Sequence, residues 1–251
     1  MSCITGQNVL YCTYHDTEGD SFMWNGKKKA LTFSFDDGVL QDRRAVELLN
    51  KYGLKATFNI NSGYLGLPNR LVRNGVEVDH TKVEASEVGT LYRGHEVAVH
   101  TLTHPGLYDI SDETLIRQVE EDRRALSELV GYSVEGMAYP FGHCNRHIAD
   151  VIGANTGVRY SRTVNDTKSF DLQEDLLLFN PTVYYIDVDE MFRLGREFLS
   201  LAPDTPKLFY VWGHTYEMDA GYISWEKFEE FCAMMAGKDD IFYGTNAECL
   251  L

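Results

Sequence analysis

Two periods alternate along the chain. Runs of four to seven apolar or β-branched residues recur, and each is followed by a segment whose apolar positions return every three or four residues before a closing glycine. The first run, Leu31 to Phe35 (LTFSF), predicts a strand. A helix is expected from about Gln41 to Lys51, with Ala45, Val46, Leu48, Leu49 and Tyr52 on its apolar side and Gly53 as C-cap. Next come a strand Lys55 to Ile60, a loop holding Gly63, Gly66 and Pro68, a short helix near Val83 to Tyr92, and a strand Glu96 to His100. Ser111 reads as the N-cap of a helix ending at Gly131, with Leu115, Val119, Leu126 and Leu129 on one stripe.

The alternation continues through a strand Val134 to Tyr139, a helix Arg146 to Ile152, a strand Gly157 to Val164 and an extended stretch Leu176 to Tyr185. A helix Val188 to Ser200, a strand Leu208 to Trp212, a helix Trp225 to Met235 and a strand Ile241 to Tyr243 complete it. Seven or eight strands alternating with helices predict an α/β fold of parallel strands with right-handed crossovers, closed as a barrel or left open and doubly wound. Either way, chemistry belongs at the C-terminal ends of the strands.

No repeat, low-complexity tract or linker interrupts the 251 residues, so a single domain over 1–251 is expected, with its motif-bearing core at about 30–215. A net charge of −15 argues against nucleic acid as partner. No apolar run of about 18 residues is present, so no membrane-spanning helix is expected. The opening MSCITGQNVLYCTYH has neither basic nor apolar signal regions, which points to the cytoplasm. Five scattered cysteines, Cys3, Cys12, Cys144, Cys232 and Cys249, suit reduced thiols, with Cys144 a small buried residue.

The informative polar residues follow strands. Asp36-Asp37-Gly38 succeeds LTFSF, and two adjacent carboxylates at a strand end need different partners, one a cation and one a proton. His100 and His104 (HTLTH) have the spacing of a chelating pair if the segment turns helical, and with a neighbouring carboxylate they leave coordination positions open, as a catalytic metal requires. His95, at the opposite end of that strand, reads as structural. Tyr139-Pro140-Phe141-Gly142 forms a turn able to aim a backbone amide at an oxyanion. His214 follows the strand Leu208 to Trp212. Each signal alone has an ordinary counterpart in a turn or a structural histidine.

In the order TFSFDDG, HTLTH, YPFG and VWGH, over roughly residues 30–215, the chain resembles the polysaccharide deacetylases of the NodB-homology group, carbohydrate esterase family 4. The resemblance implies a distorted (β/α)7–8 barrel in one domain and metal-dependent hydrolysis of N-acetyl or O-acetyl groups from a carbohydrate. It implies Asp36 as general base, His214 as general acid, and Asp37, His100 and His104 as ligands of one divalent metal, usually Zn2+ and sometimes Co2+ or Ni2+. It further implies the Phe141 amide as oxyanion donor. Two departures stand out. Ala138 occupies the position of a common Arg, and the family's fourth motif, an Asp and a Trp beside the catalytic histidine, has no clean match among Arg162, Asp166 and Phe170.

Because a carboxylate base beside a metal needs a fixing donor, Arg162 is the candidate partner of Asp36; its alternative is a surface charge or a bridge to Asp166. Tyr108, Tyr139, Phe141, Trp212 and Tyr216 stand beside the motifs as candidate walls for a sugar face, positions that equally suit the core. The expected partner is an acetylated carbohydrate. The alternatives are an amidohydrolase acting on a small non-sugar amide and an inactive sugar-binding protein on the same scaffold.

Overall fold

The computed structural model describes residues 23–251. The opening stretch, with Cys3 and Cys12 and the expectation drawn from it, lies outside the described residues.

Strand β1 (Lys29–Asp36) is buried at every position, the environment a continuous LTFSF run demands. It pairs in parallel with β2 (Ala56–Ile60) and with β9 (Lys207–Gly213), and at its start with β10 (Ile241–Tyr243). Beyond β2 lie β5 (Glu96–Val99), β6 (Gly136–Ala138) and β7 (Tyr160–Arg162), and beyond β9 lies β8 (Val183–Tyr184). Phe179 pairs with Arg162 at the end of β7, while Val183 and Tyr184 pair with β9. One short stretch thus joins the two edges and curls the sheet into a distorted barrel, the closed alternative. Two strands are shorter than expected: Gly157 to Val164 contributes only Tyr160–Arg162, and Val134 to Tyr139 only Gly136–Ala138. Leu176–Leu178, expected to be extended, forms a 3₁₀ turn capped by the Asp175 side chain.

The helices are α1 (Asp42–Tyr52), α2 (Val88–Leu91), α3 (Asp112–Val130), α4 (Arg146–Asn155), α5 (Val188–Ser200), α6 (Tyr216–Asp219), α7 (Trp225–Met235) and α8 (Asn246–Leu250). Gly53 closes α1 in the left-handed conformation, and Ser111 caps α3 by accepting from the Thr114 amide. Among the described residues no helix is long and apolar enough to cross a membrane. Between the sheet and its helices, Phe228 of α7 meets Phe33 and Phe35 edge-on at 6.0 Å each. Truncating so enclosed a ring to alanine costs about 3–5 kcal/mol.

A hairpin also departs from the expected pattern. The loop after β2 contains an antiparallel hairpin, β3 (Arg70–Arg73) and β4 (Val76–Asp79), turning at Asn74-Gly75 with both residues at positive φ. Asn-Gly between alternating runs is the signature of a two-residue hairpin turn.

Candidate active site

All strands that surround the barrel axis run the same way, so the residues following β1, β5, β6, β7 and β9 converge on one rim. There they line a cavity of about 340 Å³ that holds Asp36, Asp37, His100, His104, Phe141 and His214.

The two histidines do not lie on a helix. HTLTH is a loop in which Thr101 (φ 65) and His104 (φ 49) adopt left-handed backbone, folding the chain back so that the two Nε2 atoms stand 3.2 Å apart. Asp37 (φ 85) and Phe141 (φ 56) share that conformation. Such backbone in non-glycine residues costs about 1–3 kcal/mol each and persists where the surroundings enforce it. Here the enforcement comes from α3. Asp122, buried on its apolar stripe, accepts from the Ser62 amide at 2.7 Å and the His100 amide at 3.1 Å. Gln118 holds Thr103 through both amide and hydroxyl at 2.9 Å.

His100 Nδ1 donates to the Ala138 carbonyl at 2.8 Å, because a carbonyl can only accept. That fixes the tautomer and turns the Nε2 lone pair toward Asp37. Burial lowers the pKa of both imidazoles, His104 to about 4 with the nearby His100 adding to the effect, so both favour the neutral form that a metal would need. Asp37 Oδ1 lies 4.0 Å from His100 Nε2 and 3.8 Å from His104 Nε2. A tetrahedral cation with ligands at about 2.0–2.2 Å needs donor edges of roughly 3.3–3.6 Å, and these donors fit one after small adjustments. Among the described residues they form the one cluster of three potential ligands.

Asp37 has two further partners that the sequence reading missed. His80 Nε2 lies 3.1 Å from Oδ2 and Lys82 Nζ 3.6 Å from Oδ1, both from the segment that ends the hairpin. Burial would raise the Asp37 pKa, but Lys82 and the His80 hydrogen bond hold it well below the usual carboxylate value.

Asp36 is held differently. Arg162 reaches from the end of β7, its Nη2 donating to Oδ1 at 2.6 Å and also to Oδ2, while Asn59 Nδ2 donates to Oδ1 at 2.8 Å. Oδ1 is thereby occupied, and Oδ2 faces His214 Nε2 at 3.9 Å. Burial favours the neutral acid, yet Arg162, His100 and His214 together keep the Asp36 pKa below its ordinary value. The bridge to Asp166 weighed for Arg162 is not formed; Asp166 instead accepts from Trp212 Nε1 at 2.8 Å and from the Tyr184 amide at 2.9 Å. The Arg162 guanidinium lies 4.5 Å over the Trp212 ring, so the indole becomes a fixed wall of the same pair.

His214 follows Gly213, where any Cβ would overlap the Tyr185 ring. Glu217, one helical turn on, accepts from the His214 amide at 3.0 Å and sits 3.3 Å from Nδ1, with the Tyr184 hydroxyl on the same carboxylate oxygen. Burial works against the charged imidazole, but Glu217, with Asp36 and Asp37 behind it, raises the His214 pKa to about 9. Sequence reading missed Glu217. An acidic residue three positions after a histidine that opens a helix is the signal that was available.

Of the candidate walls, Tyr139, Trp212 and Tyr216 line the cavity but are nearly buried, and the Tyr139 hydroxyl is spent on the Leu177 carbonyl. Phe141 is 64% exposed and edge-on to His104 at 4.4 Å, so it is the open aromatic face. Tyr108 lies outside the cavity lining, stacked on His143. His95, at the other end of β5, accepts from the Ala56 amide. Cys144 is half-buried and burial raises its pKa, whereas Cys232 and Cys249 are buried.

The polysaccharide deacetylase family model matches residues 24–161, just over half of the chain, a span that includes Asp36, Asp37, His100, His104 and Phe141. The peptidoglycan-N-acetylglucosamine deacetylase PgdA of Listeria monocytogenes is 28% identical over 127 residues, covering 50% of this chain and 24% of that protein. The chitooligosaccharide deacetylase of Rhizobium leguminosarum bv. phaseoli is 27% identical over 120 residues, covering 47% and 44%. The matched segments therefore span less than half of either relative. Among solved structures, a family 4 carbohydrate esterase from Streptomyces lividans in complex with acetate superposes with TM-score 0.54 at 16% identity, over 87% of this chain and 92% of that one. A family 4 pseudoenzyme of Bacillus anthracis, as a mutant with restored activity, gives 0.57 at 16% identity over 89% and 68%. At such identity the superpositions speak to the fold alone. The motifs and the matched family model together identify the chain as a member of the polysaccharide deacetylase family.

Proposed function

We propose that this protein hydrolyses acetyl groups, N-acetyl before O-acetyl, from a carbohydrate in a metal-dependent reaction. The observation that carries the reading is the different setting of two consecutive carboxylates: Asp37 faces two imidazoles, and Asp36 is clamped by Arg162 with Oδ2 turned toward His214. Asp37, His100 and His104 would hold a divalent cation, Zn2+ by donor type with Co2+ and Ni2+ as alternatives. When bound, such an ion supplies Lewis acidity toward the acetyl carbonyl.

The protein's own groups cover the remaining steps. Asp36, ionised at neutral pH, takes a proton from the attacking water as its oxygen bonds to the carbonyl carbon. The Phe141 amide donates to the oxygen on which charge develops. His214 is protonated at neutral pH, and because Glu217 and Tyr184 occupy its Nδ1 side, the proton it can give sits on Nε2, facing the cavity. It passes to the amine nitrogen as the C–N bond breaks, leaving acetate and a free amino sugar. An amide needs such an acid because an unprotonated amine is a poor leaving group.

Acetate release screened over chitooligosaccharides, peptidoglycan fragments, acetylxylan and small N-acetyl compounds tests the reading. Release from a saccharide is the expected result. Release only from small non-sugar amides assigns the site to a different amidohydrolase, and saccharide binding without any release leaves a sugar-binding protein.

A further inference from the structure

The hairpin brings to the cavity mouth a cation that the reaction above does not use. Side chains alternate along β3, so Arg70 and Val72 face outward while Leu71 and Arg73 face the body of the protein. Leu71 and its register partner Val78 pack with Val39, Tyr216 and Ala220, and Arg73 continues that inward face into the cavity lining. The two arginines are treated differently. Outward Arg70 is neutralised by Glu77 at 2.6 Å. Arg73 has no ion-pair partner among the described residues; its Nη1 donates to the Val72 carbonyl at 3.1 Å.

The hairpin that carries Arg73 is anchored at both ends. At the hairpin tip Asn74 donates to the Ala220 carbonyl at 3.2 Å, and at its foot His80 binds Asp37. The cations around the cavity are engaged: Arg162 by Asp36, Lys82 by Asp37 and His214 by Glu217. In a chain of net charge −15 carboxylates are in excess, so a guanidinium at the cavity with no carboxylate partner among the described residues is suited to an anion from outside. A guanidinium fork suits a two-oxygen anion.

We propose that Arg73 binds an oxyanion, carboxylate or phosphate, carried by the substrate, which makes the substrate class an acidic acetylated saccharide; this rests on the deacetylase reading. The test compares three probes by turnover and by titration calorimetry: a neutral N-acetylglucosamine oligomer, an N-acetylated amino-uronate, and N-acetylglucosamine 6-phosphate. One acidic probe should exceed the neutral one in kcat/KM by on the order of 10- to 100-fold, mainly through KM, as expected for a charged hydrogen-bonded contact. The probe preferred distinguishes carboxylate from phosphate. Arg73→Met should abolish the ratio, Arg73→Lys should keep part of it, and added salt should erode it. Equal kcat/KM for neutral and acidic probes, or a ratio unchanged in Arg73→Met, overturns the proposal. If no probe releases acetate the deacetylase reading fails, and calorimetry still decides on Arg73: acidic binding lost in Arg73→Met upholds its role, and binding that ignores the substitution refutes it.

Discussion

Arg162 and Asp36 stand 126 residues apart in the chain and form one ion pair at the barrel rim, with 1% and 3% of their side chains exposed. Desolvation offsets most of the attraction in so buried a pair, so its value lies in fixing the Asp36 rotamer and keeping the carboxylate ionised. Arg162→Met should lower kcat on the order of 10- to 100-fold while metal content stays at the parent level. Asp36 would keep its burial and lose its cation, so the acid limb of the pH profile should move upward, and the unfolding midpoint should fall. Parental kcat with an unmoved acid limb would count against this role.

Elemental analysis should find one divalent metal per chain in the parent and none in His104→Ala, because two donors 4.0 Å apart do not hold it. Chelation should abolish turnover and leave the circular dichroism spectrum unchanged, since the surrounding backbone is fixed by Asp122 and Gln118 and not by the ion. Full zinc content in the variant would exclude this ligand set.

His214→Ala should cost on the order of 10²- to 10⁴-fold in kcat on an amide and less on an activated ester, whose leaving group needs no proton. Glu217→Gln removes the group that raises His214 to about 9, and burial then lowers it. The alkaline limb of the kcat profile should therefore shift to lower pH. An alkaline limb that ignores Glu217→Gln means that His214 is not the titrating acid.

Asp42, fully buried, accepts from Thr215 at 2.6 Å and Tyr92 at 2.7 Å, yet burial raises its pKa to about 7. A carboxyl with a raised folded pKa binds its proton more tightly folded than unfolded. Its contribution to stability is full below the unfolded pKa near 4 and is lost as pH rises toward 7, at up to roughly 1.4 kcal/mol per pH unit. Denaturant unfolding at pH 5 and pH 7 should show a smaller difference for Asp42→Asn than for the parent. An unchanged difference would place the pH dependence elsewhere.

Much of the fold was legible because buried parallel strands read as continuous apolar runs and the long helices carry caps: β1, α3, α5 and α7 lie where periodicity puts them. The rim of the candidate site was legible as motifs because polar residues follow several such runs in turn, a combination that no single turn or structural histidine accounts for. What escaped depends on tertiary enforcement. HTLTH spacing suggests a helix, but the Asp122 and Gln118 contacts stabilise a left-handed loop that brings the same two nitrogens together. Both residues occupy stripe positions of α3 where apolar side chains would be expected, and that was the available clue. The hairpin went unread although Asn74-Gly75 announces it, and with it His80, Lys82 and Arg73. Phe179 closing the sheet through a single pairing leaves no periodic trace.

The most direct measurement is acetate released from an N-acetylated saccharide by chelated protein as zinc is returned in substoichiometric steps, run beside Asp36→Asn. Acetate release should rise with zinc and reach its plateau at one equivalent per chain, while Asp36→Asn binds the same equivalent and releases little. Release that is indifferent to chelation, or an Asp36→Asn protein as active as its parent, would contradict a site in which Asp37 holds the metal and Asp36 takes the proton.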